Sequence, residues 1–371
     1  MSEAADLVQS LLRPEFRGQE AYGAPQLDVP VRLNVNENSY DVPPVVVASI
    51  VEAIQAEAAH LNRYPDREFT ALRKALAGYL ELQAGIRLDL DQLWAANGSN
   101  EVLQHILMAY GGPGRSALGF VPSYSMHELI SRATGTRWVA GHRDARFDLS
   151  VESAVAQVRE HRPDIVFLCS PNNPTGTAMG IDVIEAVLHA SAGVVVVDEA
   201  YVEFARSGTR SALHLLEGNP RLVVSRTMSK AFAFAGARVG YLAADPALID
   251  GLRMVRLPYH LSALTQAAAC AALAHTELLL SNVEALKAQR DRIVDTLAKW
   301  GLRPVPSDAN FVLFGGLADP SATWQELLDR GVLVRNLDIP GHLRVNAGTP
   351  EETTAFLSAL ADTLGLDAAL V

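Results

Sequence analysis

A chain of 371 residues, 49% apolar and 20% charged, fits one large and one smaller domain around a substantial core, and its composition excludes a disordered protein. Its 31 basic residues against 42 acidic ones leave a net charge of −11, which repels a phosphate backbone and argues against nucleic acid as a partner. The two cysteines, Cys169 and Cys270, form no CxxC pair, the N-terminus has early acids and no apolar core, and no apolar run could cross a bilayer. The expectation is therefore a cytoplasmic protein with no disulfide scaffold, no metal site, no signal peptide and no membrane partner.

In chain order, residues 1–42 read as an arm rich in Pro, Gly and Asn with a short helix over 6–12. Apolar spacing predicts a helix over 43–61, opened by Pro43 and Pro44, and a second over 68–83, stopped by Gly85. A strand ending near Ala96 meets the turn Asn97-Gly98, and a helix follows over 99–110. Strands are expected over 116–121, 164–169, 193–197, 222–225 and 239–243, with a helix after Pro122. Continuous apolar strands alternating with helices indicate a largely parallel sheet covered on both faces. One long helical region over 262–300 then leads to strands over 310–314, 332–335 and 343–346, with helices over 322–329 and 350–364. The division expected is 1–42 as an arm joining the small domain, 43–260 as the large domain, and 261–371 as a linking helix and small α+β domain.

Four segments carry chemistry, each at the end of an expected strand, where open α/β sheets bind ligands. A lone Asp198 would be an ordinary turn or cap acid, but Asp198-Glu199-Ala200-Tyr201 sets a carboxylate and a phenol three residues apart. A carboxylate can hold a ring nitrogen protonated and so turn the ring into an electron sink. Ser170-Pro171-Asn172-Asn173-Pro174-Thr175-Gly176 is a turn whose rigidity would fix the Asn173 amide. Thr227-Met228-Ser229-Lys230 is followed by the small apolar run 231–235 and by Arg238. A lysine in such company is desolvated, which lowers its pKa and frees its amine as a nucleophile. The neighbouring hydroxyls and Arg238 suit a phosphate dianion. Gly98-Ser99-Asn100-Glu101 opens a helix whose free amides can also bind phosphate. Neither a GxxxxGK[ST] nor a strand-linked GxGxxG fingerprint supports a nucleotide. His105, His127, His260 and His342 show no ligand spacing and read as ordinary core or surface residues.

Together these segments resemble the fold-type I, pyridoxal-phosphate-dependent aminotransferases. The finer resemblance, to the histidinol-phosphate aminotransferase family, rests on residues 33–38, 62–66, 122–126, 257–262 and 343–349. It implies the aspartate aminotransferase fold, α/β with a mostly parallel sheet of seven-stranded type between helices, plus a small α+β domain. It implies that Lys230 carries pyridoxal 5'-phosphate and moves the proton between substrate and cofactor. Asp198 would pair with the pyridinium, Asn173 and Tyr201 would bind the ring hydroxyl, and Tyr124 would stack on the ring. Ser99, Asn100, Thr227, Ser229 and Arg238 would bind the cofactor phosphate. Tyr64 would reach the cofactor of the other subunit, implying a homodimer with shared active sites. Arg344 would bind the acidic end of the substrate, aided by Arg335, Tyr22 and Asn36. Ser39 stands where the family usually has Pro, which bears on the first helix start and the Asn36 contact.

The activity implied is transamination between L-histidinol phosphate and 2-oxoglutarate, giving imidazole acetol phosphate and L-glutamate in histidine biosynthesis. An aromatic amino-acid aminotransferase and a threonine-phosphate decarboxylase share the same cofactor residues and stand as alternatives. A ligand-sensing transcription regulator of the same fold would need a DNA-binding domain, for which the chain has no spare residues or basic patch.

Overall fold

The computed structural model describes residues 3–18 and 23–371. The expectation for Tyr22 lies outside the described residues. Among the described residues, twelve strands occur in chain order: β1 (Val31–Arg32), β2 (Leu93–Ala96), β3 (Ser116–Val121), β4 (Arg137–His142), β5 (Ile165–Cys169), β6 (Val194–Asp198), β7 (Leu222–Thr227), β8 (Gly240–Ala244), β9 (Arg303–Pro304), β10 (Phe311–Gly315), β11 (Val332–Leu333) and β12 (His342–Asn346).

Seven of them form the main sheet in the order β2-β8-β7-β6-β5-β3-β4. The register makes β4, β3, β5, β6 and β7 mutually parallel, while β8 runs against both β7 and β2. One strand of the seven is thus reversed. Every residue of β5, β6 and β7 is buried, as expected for runs such as Val-Val-Val-Val with no polar alternation. Because β2, β5, β6 and β7 point the same way, Ala96, Cys169, Asp198 and Thr227 end at one edge of the sheet, and that edge is where the site is built.

A large apolar cluster surrounds this sheet and reaches from Val46 to Ala347. A second cluster, including Leu33, Ile293, Phe314, Val345 and Phe356, fills the smaller sheets. There β12-β10-β9 are antiparallel, and β1 pairs in parallel with β11. An isolated bridge between Arg335 and Arg344 ties the end of β11 to β12.

Several expectations need correction. The single helical region over 262–300 is two helices, Ala263–Leu273 and Thr276–Lys299, bent by 73°. His275 leaves the helical conformation there, its Nε2 is 2.8 Å from Ser49 Oγ, and Thr276 Oγ1 donates to Leu273 O. The chain before Ala263 contributes the helix Pro246–Val255, and β4 and the helices Val151–His161 and Ile181–Ala190 were also missing from the sequence reading. β4 is only partly buried and has little apolar continuity, so its pattern does not announce a strand. The first long helix is Pro44–Ala58, with Pro at its N-terminal position, so Ser39 does not shift its start away from the proline pair. Among the described residues no single helix is long and apolar enough to cross a membrane.

Candidate active site

A cavity of about 490 Å³ opens at the shared edge of β2, β5, β6 and β7 and extends to the small sheets. Asp198, the last residue of β6, is 1% exposed. Its Oδ2 lies 3.1 Å from His127 Nε2, and the His127 ring stacks on Phe167 at 4.6 Å. Its Oδ1 is buried and has no hydrogen-bond partner among the described residues. An orphaned carboxylate oxygen at a cavity wall is costly unless a bound group satisfies it.

Tyr201 follows one turn later, so that its hydroxyl accepts from Asn36 Nδ2 at 2.9 Å and from Asn173 Nδ2 at 3.3 Å. Burial pushes the Tyr201 phenol well above its usual range, against the opposing charge of Arg344, so it stays protonated and can donate into the cavity. Asn173 is held from its other side by Arg344 Nη1, which donates to its Oδ1 at 2.6 Å. Arg344 Nη2 also donates to Asn34 O at 2.8 Å, and the guanidinium lies 5.1 Å from the centre of the Phe311 ring.

The phosphate-like corner is built from two turns. Gly98 has φ +85°, and a Cβ there would overlap Arg238 Nη2, while a Cβ on Gly240 would overlap the backbone of Gly98 and Ser99. Only glycine at both positions lets the start of the helix Ser99–Tyr110 approach Arg238 and β8. Thr227, Ser229 and Arg238 line the same corner, with Thr227 Oγ1 donating to Ser229 Oγ at 2.9 Å and Arg238 Nη1 at 3.4 Å from that oxygen. Hydroxyls, a guanidinium and the free amides of a helix start form a donor set matched to a dianion. Tyr124 lines the cavity and donates to Asn100 Oδ1 at 3.1 Å.

Lys230 reaches the cavity with its Nζ donating to Val35 O at 3.1 Å. Burial first, then the charge of Arg344 and a smaller push from Arg238, bring its ammonium down to about 8, with Glu37 pulling the other way. A fraction of the amine is therefore neutral and nucleophilic near neutral pH.

Of the residues expected from sequence, the cavity brings together Lys230, Ser99, Asn100, Tyr124, Asn173, Asp198, Tyr201, Thr227, Ser229, Arg238, Asn36, Arg335 and Arg344. Tyr64 is not among its lining residues: it is 79% exposed and stacks on Tyr259 at 4.4 Å. Sequence reasoning missed His127 and Glu37. His127 was read as an ordinary core or surface histidine; its position three residues after Tyr124, on the helix Ser125–Ala133, was the available signal. Glu37 belongs to the 33–38 segment that carries the family resemblance, was given no role there, and lines the cavity. No group of three or more His, Cys, Asp or Glu residues suited to a metal occurs among the described residues.

A buried carboxylate with an orphaned oxygen, a depressed lysine and a dianion corner meet in one cavity at the carboxyl edge of a seven-stranded sheet, a set suited to holding a phosphorylated, ring-bearing cofactor through an amine. Residues 29–360 match the family model for aminotransferase class I and II, and the chain belongs to that family. It is 60% identical to a histidinol-phosphate aminotransferase of Paenarthrobacter aurescens (strain TC1) over 97% of each chain. It is 55% identical to the enzyme of that name from Mycolicibacterium smegmatis (strain ATCC 700084 / mc(2)155), over 99% of this chain and 97% of the relative. Among solved structures, the histidinol-phosphate aminotransferase of Sinorhizobium meliloti in complex with pyridoxal-5'-phosphate superposes with a TM-score of 0.84 at 25% identity, covering 96% of this chain and 98% of that one.

Proposed function

We propose that this chain is a pyridoxal 5'-phosphate-dependent transaminase that exchanges the amino group between L-histidinol phosphate and 2-oxoglutarate, giving imidazole acetol phosphate and L-glutamate in histidine biosynthesis. The observation that carries the reading is the meeting of Lys230, the orphaned Oδ1 of Asp198 and the Arg238 corner in one cavity, in a chain 60% identical to an enzyme of that name. When bound, the cofactor supplies a carrier for the amino group and a ring that accepts electron density.

The residues present fit that group. Lys230 holds it through its amine and afterwards takes a proton from the substrate α-carbon at Nζ, a task suited to an amine near 8. Asp198, oriented by His127, offers Oδ1 to the pyridine nitrogen and keeps it protonated. Asn173 and Tyr201 donate to the ring oxygen, and the phenyl ring of Tyr124 covers one face. Ser99, Asn100, Thr227, Ser229 and Arg238 hold the phosphate. Arg344 receives the acidic end of either substrate, since a guanidinium fork suits phosphate and carboxylate alike, and Arg335 and Asn36 assist.

Tyr64, exposed and outside the cavity of its own chain, supports a homodimer in which it reaches the partner's cofactor. A cytoplasmic location agrees with the two free cysteines. The two apolar clusters support the division at 1–42, 43–260 and 261–371, with the first linking helix packed on the large cluster and the second running from it into the small cluster at Ile293 and Leu297.

Stopped-flow absorbance of the holoenzyme mixed with L-histidinol phosphate, L-phenylalanine or L-threonine phosphate tests the reading. Rapid loss of the visible cofactor band with histidinol phosphate, restored by 2-oxoglutarate, is the expected result. A response confined to phenylalanine or to threonine phosphate rejects the substrate and leaves the cofactor site standing.

A further inference from the structure

Among the described residues, the cavity holds four cations, Lys230, Arg238, Arg335 and Arg344, and two carboxylates, Asp198 and Glu37. Asp198 is accounted for by His127 and by its orphaned oxygen at the cofactor wall. Glu37 has no such occupation. Its backbone is pinned: Asn310 Nδ2 donates to the carbonyls of Asn36 and Glu37 at 3.2 and 3.4 Å, and Asn36 takes a left-handed φ of 58° while its amide binds Tyr201. The preceding carbonyl, on Val35, receives Lys230 Nζ. Residues 35–37 are thus a fixed strap across the reactive amine. Yet the Glu37 side chain is exposed, and among the described residues its carboxylate acts on Lys230 through its charge alone, with no hydrogen bond or ion pair. Leu337 and Ile339 line the same cavity and offer an apolar wall.

A rigidly mounted acid at the edge of a cationic cavity, with its acceptor oxygens unspent, is suited to a ligand group that donates N–H. Resting on the substrate reading above, the choice narrows. The phosphate end of histidinol phosphate goes to arginine, and its amine must shed its proton to react. Only the imidazole remains as a lasting donor, and it titrates close to neutral pH, so a carboxylate gains more from it when it is charged. We infer that Glu37 is a specificity-determining residue whose carboxylate accepts the imidazole N–H of the substrate, with Leu337 and Ile339 flanking the ring. L-Glutamate, the amino donor of the opposite half-reaction, has no ring and makes no use of this contact. One arginine-lined cavity thereby serves two unlike substrates: the acidic ends share Arg344, and the ring alone calls on Glu37.

The test measures both half-reactions of holoenzyme by stopped-flow absorbance, for wild type, Glu37→Gln and Glu37→Leu, with thermal melting to confirm folding. With L-histidinol phosphate, Glu37→Leu is expected to lose roughly tenfold or more in the second-order rate constant, through a weaker apparent Kd, the scale of a hydrogen bond to a charged group. Glu37→Gln, which keeps a carbonyl acceptor, should lose less. With L-glutamate both variants should stay within about fivefold of wild type, the scale of an exposed charge removed from the periphery. An equal fall with both amines overturns the inference, because it places Glu37 in the service of Lys230 or of folding. An unchanged rate with histidinol phosphate overturns it too. Wild type that reacts with glutamate and ignores histidinol phosphate defeats the substrate reading itself and the inference with it.

Discussion

On the cofactor wall, Asn173, Asp198, Tyr201, Thr227 and Ser229 are at most 8% exposed, and each is held by another named side chain or by the sheet. On the rim that faces the small sheets, Glu37 is exposed, Arg335 is half-buried and reaches Gly23 O only at 3.5 Å, and Leu337 and Ile339 stand on an irregular stretch between β11 and β12. In the proposed reading the wall serves a group that stays, so its donors and acceptors are fixed before binding. The rim in that reading receives two substrates in turn and releases both, so it offers a few strong charges that protein contacts hold less closely. Arg344 belongs to both: it is 5% exposed, it braces Asn173, and it supplies the cation at the rim.

The sharpest way to break this contrast is Asp198→Asn. It removes a buried charge whose loss is worth roughly 3–5 kcal/mol, so single-turnover rates should fall by about two to four orders of magnitude. A loss within tenfold would mean that the wall is not an electrostatic device. Next comes the pair Arg344→Ala and Arg335→Ala. Steady-state kinetics should show KM for both substrates raised on the order of 100-fold for the buried arginine and about tenfold for the half-buried one, as charge-assisted hydrogen bonds of differing burial require. Equal effects would erase the distinction between a braced and an adaptable cation.

A third test uses Lys230 in the apoprotein. Its folded value of about 8 lies below the unfolded value near 10.5, so the unfolded state holds more protons between the two. The stability of the apoprotein should therefore rise relative to Lys230→Met as pH climbs from about 8 to 10.5, by on the order of 2–3 kcal/mol. Urea unfolding at pH 7 and at pH 10 reads the difference, and a constant gap contradicts the buried, depressed amine. The smallest effect belongs to Tyr64→Phe. It should weaken cofactor affinity about tenfold or less, the worth of one hydrogen bond. In mixed dimers the defect should follow the subunit opposite to the substitution.

The wall was legible in the sequence because its residues sit where continuous apolar strands stop. Val194 to Val197 cannot be mistaken for a surface strand, and whatever follows must lie at the sheet edge. The same logic located Thr227 to Lys230 and the turn before Asn173. The rim was harder to read. Arg344 lies in a strand of a small sheet, and only family resemblance marked it. Glu37 depends on the left-handed turn at Asn36 and on Asn310, which lies 273 residues away. His127 was hidden for a related reason: a lone histidine on a helix declares nothing until the tertiary fold sets it against Asp198. The misread helix over 262–300 has the same origin, since its alanine-rich sequence carries no breaker and the bend comes from tertiary contacts at His275.

The central claim is that Lys230 carries the cofactor. Borohydride reduction of the holoenzyme followed by proteolysis and mass spectrometry tests it most directly. The account requires the pyridoxyl label on the peptide containing Lys230 and on no other, and its disappearance together with the visible band in Lys230→Ala. A label on Lys74, Lys287 or Lys299, or none in protein that holds cofactor, would contradict it.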